Sequence, residues 1–280
     1  MKKQQTIAII FAVMGLVALS IPAVMLTRAA TDTFSVSLVV SNNLPTIYWV
    51  NNSFSITPQT NLTTYGVQFK FNVTDADGAA GINDTTAKVI ITLGSQSATS
   101  TACTPTDNGN DVEYNCSVYI PYYFNQSAAW QINASVNDTE GAKAQNYSTT
   151  FTVNELRAMS VRHNSLSFAG NPGSTDVLAT EGAQIVWNTG NYDFVELNLT
   201  GIELNSSANE KIGATNFTVN VTASGGPGQI LYNDTAVVIA NHDLTHGYEA
   251  NETLYIYLDI PLGTTPDTYT SEADWTVSAN

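Results

Sequence analysis

With 280 residues the chain has room for two ordinary domains, each large enough for its own core. Only 12% of residues are charged, the net charge is −15, and of the nine lysines and arginines three (Lys2, Lys3 and Arg28) flank the N-terminal apolar run. The other six, Lys70, Lys88, Lys143, Arg157, Arg162 and Lys211, cannot neutralise a run of phosphates, which argues against a nucleic-acid partner. Plentiful β-branched and aromatic residues exclude a disordered acidic tail.

Residues 1–30 read as a targeting segment. Lys2 and Lys3 precede an apolar run over residues 7–26, interrupted by Gly15, Ser20 and Pro22. Basic residues ahead of such a run keep the N-terminus cytoplasmic, and roughly 20 apolar residues cross a bilayer. The small residues Ala18, Ser20, Ala29 and Ala30 suit a signal peptidase, so a cleaved signal and a retained membrane anchor both stand. A pilin-type N-terminus is a third reading, and Gln4-Gln5 after Lys3 does not supply the small residue it wants. Residues 31–43 form a linker, closed by the turn signal Asn42-Asn43-Leu44-Pro45.

Residues 44–155 are predicted to form the first β domain. Val67, Phe69, Phe71 and Val73 alternate with polar residues, then Val89, Ile91 and Leu93. Cys116, Val118 and Ile120 share one parity, and Trp130, Ile132, Ala134 and Val136 another; Ser117, Tyr119, Gln131, Asn133 and Ser135 take the opposite, wet face. Strict alternation of this kind marks half-buried strands. Asp138-Thr-Glu140-Gly141 is the turn of the last hairpin, leading to Phe151 and Val153. A turn at Asn108-Gly109-Asn110-Asp111 sets Cys103 opposite Cys116, which makes a cross-strand disulfide plausible; two free buried thiols are the alternative.

Residues 156–164 join the domains, and a second β domain is predicted over residues 159–280. Gly170-Asn-Pro-Gly173 is a turn, and Ile185 and Trp187 lead into the tight connection Asn188-Thr-Gly190-Asn191. Alternation recurs at Val195, Leu197 and Leu199, at Phe217, Val219 and Val221, and at Leu254, Ile256, Leu258 and Ile260. No segment after residue 30 carries sustained helical periodicity. The fold class is therefore all-β: two tandem antiparallel β-sandwiches behind an N-terminal transmembrane or signal helix. Arg157, Arg162 and His163 at the junction are expected to pair with carboxylates there.

The sequons Asn51, Asn61, Asn72, Asn83, Asn115, Asn125, Asn133, Asn137, Asn146, Asn198, Asn205, Asn216, Asn220, Asn233 and Asn251 stand throughout the body of the chain. Of these, Asn72, Asn115, Asn133, Asn137, Asn198, Asn216 and Asn220 fall on the polar parity of their strands, where a glycan must sit. They are the expected glycosylation sites, although any polar residue prefers that face.

Other candidate sites are sparse. Tyr119, Tyr122, Tyr123 and Phe124 cluster around Pro121, either as a platform for sugar faces or a partner or as a packing cluster. Asp75, Asp77 and Asp84 offer oxygens to Ca²⁺, in a loop without EF-hand spacing; no other cofactor is suggested. His242 and His246 have the i, i+4 spacing of a zinc pair, yet that chemistry needs a helix and a glutamate base, and only Glu249 is near. No catalytic constellation emerges, and a non-enzymatic protein is expected.

Trp130-x-Ile-x-Ala-x-Val-x-Asp-x-Glu-Gly-Ala followed by Thr150-Phe-Thr-Val153 resembles the closing hairpin of PKD-like and other immunoglobulin-like surface domains. Tyr114-Asn-Cys116 is similar to the tyrosine-corner motif of immunoglobulin domains, with the departure that Cys103 lies too near to be the usual inter-sheet partner. In the second domain Ser165-Leu-Ser-Phe168, Asn188-Thr-Gly-Asn191 and Trp275-x-Val277 resemble Ig-like repeats of archaeal cell-surface proteins. The resemblance implies an extracellular, structural or adhesive protein, tied to the membrane by its N-terminal segment and meeting envelope proteins or glycans. It implies no catalytic residues.

Overall fold

The computed structural model of the chain describes residues 34–51, 54–59, 64–223 and 228–280. The predicted signal or anchor segment, residues 1–30, lies outside the described residues, as does the sequon at Asn61. Among the described residues no helix is long and apolar enough to cross a membrane. The chain divides into two units, Met1–Ser41 and Asn42–Asn280. The described part of the first, residues 34–41, adopts no regular secondary structure.

The second unit is all-β, and its buried apolar residues form two clusters, one per lobe. In the first lobe the strands are β1 (Thr46–Val50), β2 (Ser55–Ile56), β3 (Thr64–Thr74), β4 (Ile82–Leu93), β5 (Gln96–Thr99), β6 (Ala102–Asn108), β7 (Asp111–Pro121), β8 (Ser127–Asp138) and β9 (Lys143–Val153). They form two sheets, ordered β1-β3-β7-β6 and β2-β9-β8-β4-β5. The alternation dictates this layering. Val67, Phe69, Phe71 and Val73 of β3 and Val112, Tyr114, Cys116, Val118 and Ile120 of β7 are buried. So are Trp130, Ile132, Ala134 and Val136 of β8. Phe69 meets Phe151 edge-on at 5.1 Å between ring centres, which joins the two layers through one core. Each such large apolar side chain contributes about 1.5–3 kcal/mol by leaving water.

Ser135 departs from the expected wet face: only 3% of it is exposed, because β8 runs between β4 and β9 with Lys88 and Gln145 paired on either side.

The β6–β7 hairpin closes through Gly109 and Asn110, with Gly109 at φ 73°, a conformation a side chain would strain. Its register puts Cys103 opposite Cys116, and the two are disulfide-bonded. A bridge across a sequence separation of 13 removes about 3 kcal/mol of loop freedom from the unfolded chain. Replacing both cysteines by serine and alanine is expected to lower first-lobe stability by about that amount. Equilibrium unfolding in denaturant checks this; an unchanged midpoint would count against it.

The second lobe continues with β10 (Met159–Val161), β11 (Val177–Leu178), β12 (Gln184–Asn188), β13 (Leu197–Gly201), β14 (Leu204–Ser206), β15 (Lys211–Ile212), β16 (Phe217–Asn220), β17 (Gln229–Ile230), β18 (Thr235–Val238), β19 (Asn251–Leu258), β20 (Tyr269–Ser271) and β21 (Thr276–Ala279). One sheet runs β10-β12-β19-β16-β17, with β11 also on β19; two three-stranded sheets run β18-β13-β21 and β15-β14-β20. Leu197, Leu199, Phe217, Val219, Leu254, Ile256 and Leu258 are buried in the expected phases. One expectation is corrected: Val195 precedes β13 and is 73% exposed. β12 buries Gln184, Val186 and Asn188 and leaves Ile185 and Trp187 half-buried. Gln184 lies inward because its side chain binds the backbone of His163 in both directions, at 2.6 and 2.8 Å.

Candidate functional site

The aromatic stretch after β7 does not form one exposed platform. Tyr119 is 51% exposed, but Tyr122 and Phe124 are buried, at 2% and 5%. Of the two alternatives for the four rings, the burial of Tyr122 and Phe124 fits the packing cluster, and the reason is tertiary. Phe124 stacks on Trp130 with ring centres 4.8 Å apart, whereas the Tyr122 hydroxyl reaches into the second lobe. It donates to the Gly247 carbonyl at 3.1 Å and accepts from the Glu249 N–H at 2.8 Å. Burial pushes the Tyr122 phenol up, so it stays a donor. Tyr123 lies edge-on to Tyr122 and to Tyr248.

Around these rings the two lobes are tied by polar side chains. Asn191 is 1% exposed. Its amide nitrogen donates to the carbonyls of Phe124 (2.9 Å) and Asn154 (3.0 Å), and its amide oxygen accepts from the Leu156 N–H at 2.6 Å. Gly190 leaves room for that approach: a Cβ there would lie 2.0 Å from the Leu156 carbonyl oxygen. Asn188 holds the same turn by accepting from the Gly190 N–H and donating to the carbonyls of Tyr192 and Leu244.

His246 completes the tie. Its Nδ1 lies 2.6 Å from an Asp193 carboxylate oxygen and its Nε2 lies 2.7 Å from the amide oxygen of Asn125 in the first lobe. The Asp193 backbone partner is also His246, whose N–H donates at 2.7 Å. Burial pushes the Asp193 carboxyl up, but hydrogen bonds and charge from His246 outweigh it and hold it below the usual range. Arg157 pairs with Glu155 at 2.5 Å, the carboxylate pairing expected at the junction, and also stacks over the Tyr192 ring at 3.8 Å.

Asn125, Gln126, Asn191, Tyr192, Asp193 and His246 line a groove of about 220 Å³. That is below the roughly 300–1,000 Å³ of small-molecule sites. The group is a histidine–carboxylate pair with an amide, and among the described residues no serine or cysteine is hydrogen-bonded to the imidazole. Its chemistry is that of a clamp.

The calcium candidates engage separate partners. Asp77 takes both the N–H and the side-chain amide of Asn43, at 2.7 and 2.8 Å. Asp84 accepts from the Tyr114 hydroxyl at 2.5 Å. Asp75 is 1% exposed and accepts from the Asp77 N–H, with its other oxygen unpartnered. Among the described residues no group of three or more His, Cys, Asp or Glu is placed to hold a metal ion. The Tyr114 bond also differs from the expected tyrosine corner, since its partner is a side chain rather than a backbone carbonyl; burial first, and then Asp84, push this phenol up.

Of the strand-phase sequons, Asn72, Asn115, Asn133, Asn137, Asn216 and Asn220 are half-buried at the surface. Asn198 is corrected: it is 8% exposed, flanked by Val238 and Ser278 on the neighbouring strands. In Asn83, Asn146 and Asn220 the amide oxygen accepts from both the N–H and the hydroxyl of the residue two places on, Thr85, Ser148 and Thr222. Their turn-forming triplets are visible in the sequence.

Several carboxyls are held low. A side-chain hydrogen bond from Asn42 lowers Asp138, and a backbone one from Asn43 lowers Asp77. Thr265 does the same for Glu210 and Ser207 for Asp267. A group whose folded pKa is depressed contributes stability above its unfolded value and loses it as pH falls through the folded one. Stability is therefore expected to hold from neutrality down to the ordinary carboxylate range, about pH 4, and to fall below it. Thermal unfolding across that range checks this; a melting temperature that rises on acidification would contradict it.

No known protein-family model matches this chain, and no curated protein matches it.

Proposed function

We propose that the chain is a non-enzymatic, exported cell-surface protein whose two lobes are tandem immunoglobulin-like sandwiches, acting as a structural or spacer component of an envelope. The observation that carries this reading is the inter-lobe clamp of Tyr122, Asn191 and His246. It commits the most distinctive polar and aromatic groups of the chain to holding the two β lobes together. A spacer needs that rigidity, whereas an enzyme needs such groups free for substrate. The cross-strand disulfide supports passage through an oxidising compartment. The first lobe's strand order, β1-β3-β7-β6 against β2-β9-β8-β4-β5, supports the immunoglobulin-like reading. Membrane attachment through residues 1–30 and N-glycosylation of surface sequons belong to the same proposal.

Cell fractionation with intact-mass analysis of the native protein tests it. The expected result is an exported species carrying sugar mass. Peptide mapping should find glycan on exposed or half-buried sequons such as Asn83 and Asn220 and none on Asn198. An unmodified cytosolic species would overturn the reading.

A further inference from the structure

Residues 34–40, Phe-Ser-Val-Ser-Leu-Val-Val, carry strand alternation without a strand partner among the described residues. Phe34, Val36, Leu38 and Val40 share one parity and are 87%, 81%, 85% and 77% exposed. Ser35, Ser37 and Ser41 share the other with Val39. Isolated exposed apolar residues need no explanation, but four in strict period-2 phase make one continuous apolar face. That is the pattern of a half-buried strand whose covering is missing.

The second lobe shows the complementary deficit. Among the described residues, 23 buried hydrophobics of the first core are flanked by 8 partly buried ones, whereas 13 in the second core are flanked by 14. Trp275, Val277 and Ala279, in or beside β21, are among the latter. β21 is hydrogen-bonded to β13 on one side, and no described strand pairs with its other side. Its pleat sets Val277 and Ala279 inward and Thr276 and Ser278 outward. An open edge is a template for another strand unless it is guarded. Of the other edges, β6 carries Pro105 and Asp107, β15 carries Lys211, and the Gln229 side chain occupies the Val238 carbonyl of β18. Neither β21 nor residues 34–40 holds a charge, in a chain of net charge −15 that otherwise repels its copies.

We propose that residues 34–40 of one copy add as a strand to the free edge of β21 in a second copy, with Phe34, Val36 and Leu38 facing the half-covered core of the second lobe. The matching pleats put serines with Thr276 and Ser278 on the wet face. Because donor and acceptor are different surfaces, the contact is heterologous and propagates from copy to copy. Main-chain hydrogen bonds supply the affinity and the alternate side chains the register. This does not depend on the surface-spacer reading.

The test uses the full chain in detergent, so that association through residues 1–30 is common to every sample. Light scattering over a concentration series should show wild-type mass growing beyond a dimer. The Val36→Lys, Leu38→Lys double variant should lose that growth with unchanged thermal unfolding, since both side chains are exposed. Differently tagged Ser37→Cys and Ser278→Cys chains should form a mixed disulfide on oxidation, and neither alone should cross-link comparably. A synthetic peptide of residues 33–42 should dissociate the wild-type assemblies. Wild-type growth that persists in the double variant, a closed dimer, or the absence of the mixed disulfide would each overturn the proposal.

Discussion

Trp130→Ala is expected to destabilise the first lobe by about 3–5 kcal/mol, enough to unfold a domain of ordinary stability under mild denaturant. The ring is fully buried, stacks on Phe124, and packs at a tilt against Phe151, 6.2 Å between centres. Its removal leaves a cavity at the meeting point of both sheets, and a close-packed core collapses only partly around such a void. A second loss is polar. The indole N–H donates to the Asn125 carbonyl at 2.9 Å, and Asn125 is the residue whose amide receives His246. Trp130→Phe helps to separate the two contributions, because it retains much of the ring volume while losing the hydrogen bond. It should cost less than half as much. Denaturant unfolding followed by circular dichroism measures both. A loss below about 1 kcal/mol for the alanine variant would mean that Trp130 does not anchor the core.

The second large effect is expected at the junction. Asn191→Ala removes three hydrogen bonds at one buried position and leaves the Leu156 N–H and the carbonyls of Phe124 and Asn154 without that partner. A buried polar group deprived of its partner costs about 1–3 kcal/mol, so the variant should lose about 3 kcal/mol or more in total. The loss should concentrate at the junction and leave both cores intact. Limited proteolysis should therefore open residues 154–158 first, and hydrogen exchange there should rise before it rises in β3 or β19. Gly190→Ala should act in the same direction, since its Cβ has no space beside the Leu156 carbonyl. Equal protection of residues 154–158 in wild type and variant would show that Asn191 does not hold the lobes.

Much of the architecture was legible in the residues alone. Period-2 alternation in β3, β7 and β8 identifies which side chains go inward, because a strand's side chains alternate between two faces and only one can be apolar beside water. The β6–β7 turn was equally local, since a glycine at positive φ and the equal distance of Cys103 and Cys116 from it are properties of a short stretch. The aromatic run at Tyr122, Tyr123 and Phe124 was visible as a cluster, yet its role was not: an exposed platform and a buried clamp have the same composition.

By itself, then, the amino-acid sequence determined the strand phases, the hairpin and the disulfide register, all of which follow from interactions between residues close along the chain. Only the tertiary structure decided that Ser135 and Asn198 lie covered, that β12 buries Gln184, and that Asn191 and His246 join two lobes. Those outcomes depend on which strand lies alongside and which backbone carbonyl comes within reach. Partners 67 and 121 positions apart, such as Asn191 with Phe124 and His246 with Asn125, leave no periodic trace. Burial of a polar residue is set by its neighbours in space, and alternation records only its own face.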